Sequence, residues 1–503
     1  MATLPKSTPA RRTRSGRVLD RRRLRATHAS GARPAGAVLL GAIACTASLH
    51  AQDIDEGSTQ AASVRPVATR PALSSNRWQE DWSALADPAL RTQWGDALKY
   101  IALSDTDQRS YLSLGANLRE RTEMSDAASF GIGNSDNTYL LQRLQLHADL
   151  RFASYWQAFM QIEDARTVNK QVIGGADRNP WDLRLAFVAY ARSFDAGTFK
   201  ARVGRQDFAF DLQRFVSLRD GPNVRQSFDA IWADWETGQW RFIGFVSQPV
   251  QYDDRHPFDD TSNHRFRFST LRVERLVLGG NELSAYYSRY SRDGARYLDA
   301  TGDERRDVYD ARFAGKAGAV DWDVEGMAQR GHVGGKTIDA WGSGARVGYT
   351  WNLGWHPRVG LQVDAASGDG RHGDGTLGTF NPLFPNGYYF TLAGFTGYAN
   401  LRHVKPSLTI KPAVHLTVMG ALGFLWRETT RDAVYVQPNV PLQGTAGQGG
   451  HWTGAYGQLR ADYAFNANFT GAVEAVHYEA GRVIHVAGGH DSDYLGIELK
   501  YMW

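Results

Sequence analysis

The chain has 503 residues, 42% of them apolar and 12% aromatic, with a single Cys, which excludes a disordered, collagen-like or disulfide-stapled protein. No run of about 18 apolar residues occurs, so a bundle of transmembrane helices is also excluded. The formal charge is +4, but residues 1–51 hold ten Lys/Arg and one acid; the remaining 47 bases and 52 acids give about −5, and no nucleic-acid partner is expected.

The chain opens with a predicted export signal. A strongly basic stretch precedes the apolar run from Pro34 to Ala51, which has the length of a signal-peptide core and is too short to span a membrane. We place the signal peptide at residues 1–51. Residues 52–108 are then predicted to be a periplasmic linker followed by a docked segment, which begins near Arg77 and Trp78.

From Tyr111 onward the sequence predicts an all-β fold. Polar and apolar residues alternate with period 2 in segments of about 10 to 14 residues, and no helical period persists. Between Thr138 and Ala153, one face carries Leu144, Leu146 and Leu150, and the other carries charged or polar residues. About eighteen such strands are expected in residues 109–503.

The lengths of the connections distinguish a membrane barrel from a soluble sandwich. Connections after even-numbered strands are very short, such as Ser154-Tyr155 and Asn466-Ala467. Those after odd-numbered strands are predicted to be long, at about 124–137, 167–181, 207–226, 251–263, 293–304, 331–338, 367–395, 427–450 and 480–491. Short periplasmic turns and long extracellular loops are typical of a transmembrane antiparallel β-barrel of the bacterial outer membrane.

The last predicted strand supports the same fold. Its apolar face carries Leu495, Ile497, Leu499 and Tyr501 and ends in the terminal aromatic Trp503, as a lipid-facing strand requires. The expected partners of such a chain are outer-membrane lipid and, through the terminal aromatic, the barrel assembly machinery.

The opposite strand faces are predicted to line a water-filled lumen. Arginine is frequent there, with acids and amides between the arginines. The residues read off by phase include Asn117, Arg119, Arg121, Arg143, Gln145, Arg151, Gln161, Glu163, Lys200, Arg202, Arg346, Arg358, Gln362, Gln458, Arg460 and Asp462. Guanidinium groups attract anions and bind carboxylates in a bidentate manner, so the expected cargo is anionic.

Several segments resemble the alginate export family of outer-membrane barrels. The resemblance covers about residues 77–503. It rests on Tyr111–Glu123 (YLSLGANLRERTE), Gly204–Phe208, Asn223–Asp229, Ser367–Gly370, Phe380–Pro385 and Tyr388–Phe390.

This resemblance implies an eighteen-strand barrel whose arginine-lined constriction passes a polyuronate, with loops as gates. Carried onto this chain, it implies that six arginines contribute to the constriction, with Asp229 or Glu163 as acidic partners: Arg119, Arg143, Arg205, Arg225, Arg346 and Arg460. Alternation from Lys200 and Arg202 places Arg205 on the lipid phase, so its inclusion requires a bulge at Gly204 or a position beyond the membrane.

Enzyme chemistry and cofactors receive little support. Motifs for zinc peptidases, serine hydrolases and phosphate-binding loops are missing from the sequence, so no enzyme is expected. Asp369 and Asp374 in the Gly-Asp-rich loop Ser367–Gly378 offer oxygen ligands for Ca²⁺. That loop lacks the repeated register of a dedicated calcium motif, so a plain extracellular turn is preferred and no cofactor is expected.

The sequence therefore favours a passive, anion-selective outer-membrane channel that exports an acidic polysaccharide such as alginate. Periplasmic biosynthesis or export proteins are then plausible partners. An uptake porin for small carboxylates or other anions is the first alternative. A barrel enzyme or adhesive scaffold is the second.

Overall fold

The structure, a computed structural model, describes residues 69–132 and 136–503. The predicted signal peptide (1–51) and the first part of the predicted linker lie outside the described residues. Within them, eighteen long strands form one closed antiparallel barrel, as predicted. The first and last strands close the sheet, from Asn117 opposite Met502 to Ser125 opposite Tyr494. Closure leaves no free edge and satisfies the backbone hydrogen bonds without water.

The barrel strands, in chain order, are β1 Tyr111–Ser125, β2 Asn137–Phe152, β3 Trp156–Val168, β4 Asn179–Phe194, β5 Gly197–Gln206, β6 Phe228–Thr237, β7 Trp240–Gln251, β8 Phe266–Val277, β9 Asn281–Arg296, β10 Thr301–Ala317, β11 Val320–Val333, β12 Lys336–Thr350, β13 Arg358–Ala366, β14 Leu401–Ala413, β15 Leu416–Trp426, β16 Trp452–Ala464, β17 Phe469–Ala480 and β18 Ser492–Met502.

The remaining elements are short. Two-residue strands lie at Ile101–Ala102, Thr261–Ser262, Thr376–Leu377, Tyr435–Val436 and Val440–Pro441. The helices of the described residues are α1 Asp96–Lys99 and α2 Arg482–Val486, both short, and 3-10 turns lie at Arg77–Gln79, Ser83–Ala86, Pro88–Leu90 and Ala128–Gly131. No helix in residues 69–132 or 136–503 is long and apolar enough to cross a bilayer.

The outer wall is apolar, as the period-2 pattern predicts. In β18, Leu495, Ile497, Leu499 and Tyr501 are each about two-fifths exposed on the outside, while Glu498 between them is buried inside. The same alternation recurs in the other strands, where outward leucines and valines are exposed and inward charged residues are buried. The barrel therefore presents to lipid the surface that a bilayer requires.

The connections follow the predicted asymmetry, with two exceptions. Residues 153–155, 195–196 and 414–415 are tight turns, whereas residues 207–227, 367–400 and 427–451 are long loops. The predicted long loops at 293–304 and 331–338 are instead short connections, at 297–300 and 334–335. The reason is that β9 to β12 continue their hydrogen-bonded ladder outward through these segments.

Two loops fold into the barrel. Inner loop 1 (residues 207–227) and inner loop 2 (residues 367–400) meet backbone to backbone, where Phe384 N donates to Phe215 O at 2.9 Å and Ser217 N donates to Phe384 O at 3.0 Å. Glycines in β12 make room for them: a Cβ at Gly342 would lie 2.6 Å from Phe380.

Inner loops 1 and 2 share a large apolar core with the wall from β6 to β14. Its aromatic members include Phe208, Phe210, Phe215, Phe228, Trp232, Phe245, Phe268, Tyr286, Tyr290, Phe380, Phe384, Tyr389, Phe390 and Tyr398. Burial of such side chains excludes water, because each contributes a large apolar area. This side of the interior is therefore packed like a soluble protein core.

The N-terminal segment (residues 69–110) packs against the turn end of the barrel. Arg77 is buried and donates to Trp503 O at 3.0 Å, and the guanidinium of Arg202 lies between the rings of Trp78 and Trp232, at 4.3 and 4.4 Å. Trp94 packs against the ring of Trp503 at 5.8 Å. This segment thus covers the seam at which β1 and β18 join.

Candidate functional site in the barrel lumen

The structure places most of the predicted site residues inside the barrel. Arg119 in β1, Arg143 in β2, Glu163 in β3, Arg346 in β12 and Arg460 in β16 all lie on the inward phase of their strands. Arg225 lies near the end of inner loop 1 and is buried. The predicted arginines do not form a single ring around the lumen. They belong to separate groups, each with its own hydrogen-bond and ion-pair partners.

Three of the arginines converge on inner loop 1. Arg143 Nη2 donates to Asp220 Oδ1 at 2.6 Å, and Arg225 Nε lies 3.3 Å from the same oxygen. Arg119 Nη1 donates to the backbone oxygen of Asp220 at 2.6 Å, and its Nη2 donates to Asn223 Oδ1 at 3.2 Å. We name Asp220 with Arg119, Arg143 and Arg225 the loop anchor.

The arginines of the loop anchor keep the Asp220 carboxyl ionised. Burial alone would raise the pKa of this carboxyl, but the nearby positive charges, first Arg143 and then Arg225, hold its pKa well below the usual range. A carboxyl whose pKa is lower in the folded protein than in the unfolded chain stabilises the folded state. This stabilisation is complete at any pH above the unfolded pKa of about 3.9, and it is lost as the pH falls through the folded pKa.

We therefore expect the single-channel conductance to stay constant from about pH 7 down to about pH 4 and to rise only at still lower pH, where Asp220 protonates and inner loop 1 is released. Bilayer recordings at stepped pH check this. Replacing Asp220 by Asn should give the acid-like conductance already at neutral pH. A conductance change centred near pH 6 in the unaltered protein would contradict the assignment.

Arg460 belongs to a second network, on β16, β17, β18 and β1. It pairs with Asp462 at 2.7 Å and with Glu474. Glu474 also accepts from Arg121 at 2.6 Å, and Arg121 lies 2.6 Å from Glu123. The ring of Tyr388, from inner loop 2, packs over the Arg121 guanidinium at 5.0 Å. The two arginines of this network thus face three carboxylates, so the network offers no uncompensated positive charge.

Arg346 differs from the other arginines. Its Nε donates to Gln362 Oε1 at 3.2 Å, and its guanidinium packs over the ring of Tyr389 at 5.2 Å. Gln362 lies opposite Arg346 on one side and opposite Lys405 on the other, so the three residues form a row across β12, β13 and β14. Among the acceptors in the described part of the chain, Lys405 Nζ donates only to two backbone oxygens of inner loop 2, those of Tyr389 and Phe390.

Within residues 69–132 and 136–503, neither Arg346 nor Lys405 has a carboxylate partner. The nearby Asp364 carboxylate pairs instead with Arg214, whose Nε lies 3.8 Å from Oδ1, and it also accepts from the hydroxyls of Tyr389 and Tyr398. We name Arg346, Gln362 and Lys405 the cationic row. It offers uncompensated positive charge on the inner wall.

Two predicted site residues lie elsewhere, which corrects the interpretation of Arg205 and Asp229. They face each other across β5 and β6 and form an ion pair at 2.9 Å. Arg205 shares the strand face of Val203, which is 54% exposed on the outer wall, and β5 shows no register shift at Gly204. The pair is covered by the segment around Ser262, so it lies outside the lumen.

Glu163 is inside but does not contact any of the six arginines. It accepts from Gln145 Nε2 at 2.6 Å and lies opposite Asp182 in the ladder of β3 and β4.

Sequence reasoning missed Arg214, in inner loop 1. This residue is fully buried and contacts Glu325, Asp323 at 3.2 Å and the hydroxyl of Tyr389 at 2.7 Å. A Cβ at Gly344 would lie 2.4 Å from Arg214 Nε, so a glycine in β12 provides its space. Strand alternation gives no phase for a loop residue, and no other local signal marks it.

The Ca²⁺ ligands considered in the Gly-Asp-rich loop do not come together as a cluster. Asp369 is buried, and its N donates to Asp432 Oδ2 at 2.8 Å, whereas Asp374 is exposed and accepts from Thr376 N. Among the described residues, the acidic group with metal-ligand spacing is instead Asp182, Asp259 and Asp260. The expectation of no cofactor, with Ca²⁺ at Asp369 and Asp374 as the lesser alternative, stays a prediction.

A closed barrel with an apolar outer wall, charged inner faces and inward-folded loops defines an outer-membrane channel of the porin type. The model of the alginate export family, described as "Alginate export", matches residues 110–498. The chain therefore belongs to the alginate export family and resides in the bacterial outer membrane, as the sequence motifs indicated. A search of curated proteins finds no match to this chain.

Solved structures share the fold. The structure of OccAB1 from Acinetobacter baumannii aligns with a TM-score of 0.55 and 12% identity over 81% of this chain and 99% of that chain. OccK2 (OpdF) from Pseudomonas aeruginosa, solved in complex with glucuronate, aligns with a TM-score of 0.52 and 13% identity over 78% of this chain and 97% of that chain. At these identities the likeness concerns the fold alone.

Proposed function

We propose that the barrel passes anionic solutes and that its physiological cargo is an acidic polysaccharide such as a polyuronate, exported by diffusion. The observation that carries the proposal is the cationic row. Four of the arginines implied for the constriction are engaged by acids or backbone oxygens, namely Arg119, Arg143, Arg225 and Arg460. Arg346 and Lys405, in contrast, have no carboxylate partner within the described residues.

The chemistry of the cationic row suits a uronate. A guanidinium offers a planar fork to a carboxylate, an ammonium attracts it without fixed direction, and the amide between them both donates and accepts hydrogen bonds to hydroxyls. Membership of the alginate export family supports a polymer of such units. The related barrel solved with glucuronate supports a uronate as the repeating chemistry.

Passage in this proposal needs no covalent step. Positive charge on the wall raises the local concentration of anions and lowers that of cations. A chain of carboxylates would exchange one contact for the next as it advances, with the gradient of polymer as the driving force.

Uptake of small carboxylates is the second candidate. It is favoured by inner loops 1 and 2, which pack together inside the barrel and narrow the lumen. Export of a polymer requires these loops to move further than uptake of a monomer does.

Bilayer recording of the purified protein tests both candidates. Reversal potentials under a salt gradient should indicate anion preference, and a cation preference would overturn both. Block by oligouronates, but not by neutral oligosaccharides of equal length, supports export. Block by monomeric carboxylates together with indifference to the oligomers would favour uptake.

Replacing Arg346 by Gln should reduce the ratio of anion to cation permeability by about sevenfold. One charge at about 7 Å in a water-like dielectric favours an anion and disfavours a cation by about 0.6 kcal/mol each, so its loss changes the ratio by about 1.2 kcal/mol. The matched control is Arg289→Gln, since Arg289 is exposed and pairs with Asp307 away from the lumen. Equal reversal potentials for the two variants would remove Arg346 from the path.

A further inference from the structure

The strand β4 begins beside a cluster of three carboxylates at the loop end of the barrel. Asp182 lies near the start of β4, and Asp259 and Asp260 lie in the loop between β7 and β8. One oxygen from each lies within 4.8 Å of the other two. Oxygens bound to one Ca²⁺ at about 2.4 Å are separated by at most about 4.8 Å, so this spacing suits a shared cation.

The backbone holds these carboxylates in place. Asp182 Oδ2 accepts from the backbone N of Asp259 at 2.9 Å and of Asp260 at 3.2 Å. Asp260 Oδ1 accepts from Asp253 N at 2.9 Å. The like charges therefore cannot separate without breaking the loop's own hydrogen bonds.

A separate group points into the cluster. Asn179 is 4% exposed, and its Nδ2 donates to Asp260 Oδ2 at 2.8 Å, which brings its carboxamide against the carboxylates. Its Oδ1 is buried without a hydrogen-bond partner among the described residues, and the same holds for Asp259 Oδ1. Rotation of the amide would present Oδ1 to a cation. These two buried acceptors therefore lack a partner, and a cation beside the three carboxylates would supply one to both.

Side chains of the protein do not supply that charge. Across residues 69–132 and 136–503, none of the three carboxylates forms an ion pair with Arg or Lys, and the arginines around them are engaged by other acids: Arg205 by Asp229, Arg178 by Asp254 and Arg255 by Asp253.

We propose that Asp182, Asp259 and Asp260, together with the side-chain oxygen of Asn179, bind one Ca²⁺ ion at the extracellular rim. The hard oxygen donors and the absence of nitrogen or sulfur ligands favour Ca²⁺ over a transition metal. The ion clamps the loop between β7 and β8 onto the first residues of β4. This inference does not depend on which solute the barrel passes.

Terbium luminescence of the purified full-length protein tests the site, with Tb³⁺ as the probe and Ca²⁺ as the competitor. Trp181 is adjacent to Asp182 in the chain, so its excitation should sensitise bound Tb³⁺. We expect saturable emission that Ca²⁺ displaces at about 0.1 to 1 mM, the range of extracellular calcium modules. Asp259→Asn should weaken this binding at least tenfold, whereas the control Asp254→Asn, in the same loop, should not.

Trypsin cleavage after Arg255 provides a readout that needs no variant. Arg255 is exposed in the clamped loop, so Ca²⁺ should slow its cleavage several-fold relative to EGTA. Emission that survives in Asp259→Asn but disappears in Asp369→Asn would transfer the ion to the Gly-Asp-rich loop and overturn the proposal. Absence of saturable emission together with Ca²⁺-independent cleavage would also overturn it.

Discussion

Replacing Arg214 by Met is expected to release inner loop 1 from the barrel wall and to raise the single-channel conductance. Arg214 is the buried cation that faces Glu325 and Asp323, and its removal leaves Glu325 buried without its partner. Breaking a buried pair in this way costs about 3 to 5 kcal/mol. At about 3 kcal/mol, the population of the released loop rises by about two orders of magnitude.

Two measurements would detect the release of inner loop 1 in Arg214→Met. Bilayer recordings should show a larger or noisier open level, and trypsin should gain access to Arg225, which is buried in the packed loop, and cleave faster at Arg219, which is partly buried there. Arg289→Met is the control, because its ion pair is exposed and such pairs contribute little. A packed, protease-resistant loop in Arg214→Met would show that the apolar core alone holds it.

The double replacement Arg119→Ala and Arg143→Ala should have the second large effect, on conductance and ion selectivity together. Both side chains donate to the backbone and side chain of inner loop 1 near Asp220. Hydrogen bonds to charged groups contribute about 1.5 to 3 kcal/mol each, so losing two of them frees this end of the loop. The lumen also loses two positive charges, while Asp220 remains.

We therefore expect higher conductance and a reversal potential shifted towards cations, further than for Arg346→Gln. The single variant Arg143→Lys separates the two causes, because it keeps the charge and loses the planar fork. Its selectivity should match the unaltered protein while its loop is less firmly held. Unchanged conductance in the double variant would mean that these arginines line the path without anchoring the loop.

The barrel could be predicted from sequence because its determinants are local and repetitive. Alternation fixed which face of β18 meets lipid and which face of β1 carries Arg119 and Arg121 inward. The same rule places Arg205 on the outer face of its strand. The structure agrees with this placement and not with the constriction role that the family resemblance implies for Arg205.

The use of the lumen could not be predicted in the same way. Inner loops 1 and 2 lack a period, so their sequences do not reveal that Asp220 meets Arg143 or that Arg214 reaches Glu325 across the interior. An arginine in the sequence indicates a positive charge. The electric field that it produces in the lumen also depends on whether a carboxylate distant in the sequence packs against it. That is why Arg346 is uncompensated while Arg460, on an equivalent inward phase, is neutralised by Asp462 and Glu474.

The contact of the N-terminal segment with Trp503 has a consequence for the order of assembly. Arg77 and Trp94 bind the final residue of the chain, and Arg77 also holds Asn117 in β1. Both ends of the sheet must already be joined before this binding surface exists. The N-terminal segment can therefore bind only after β1 and β18 have met, and its binding marks a finished cylinder.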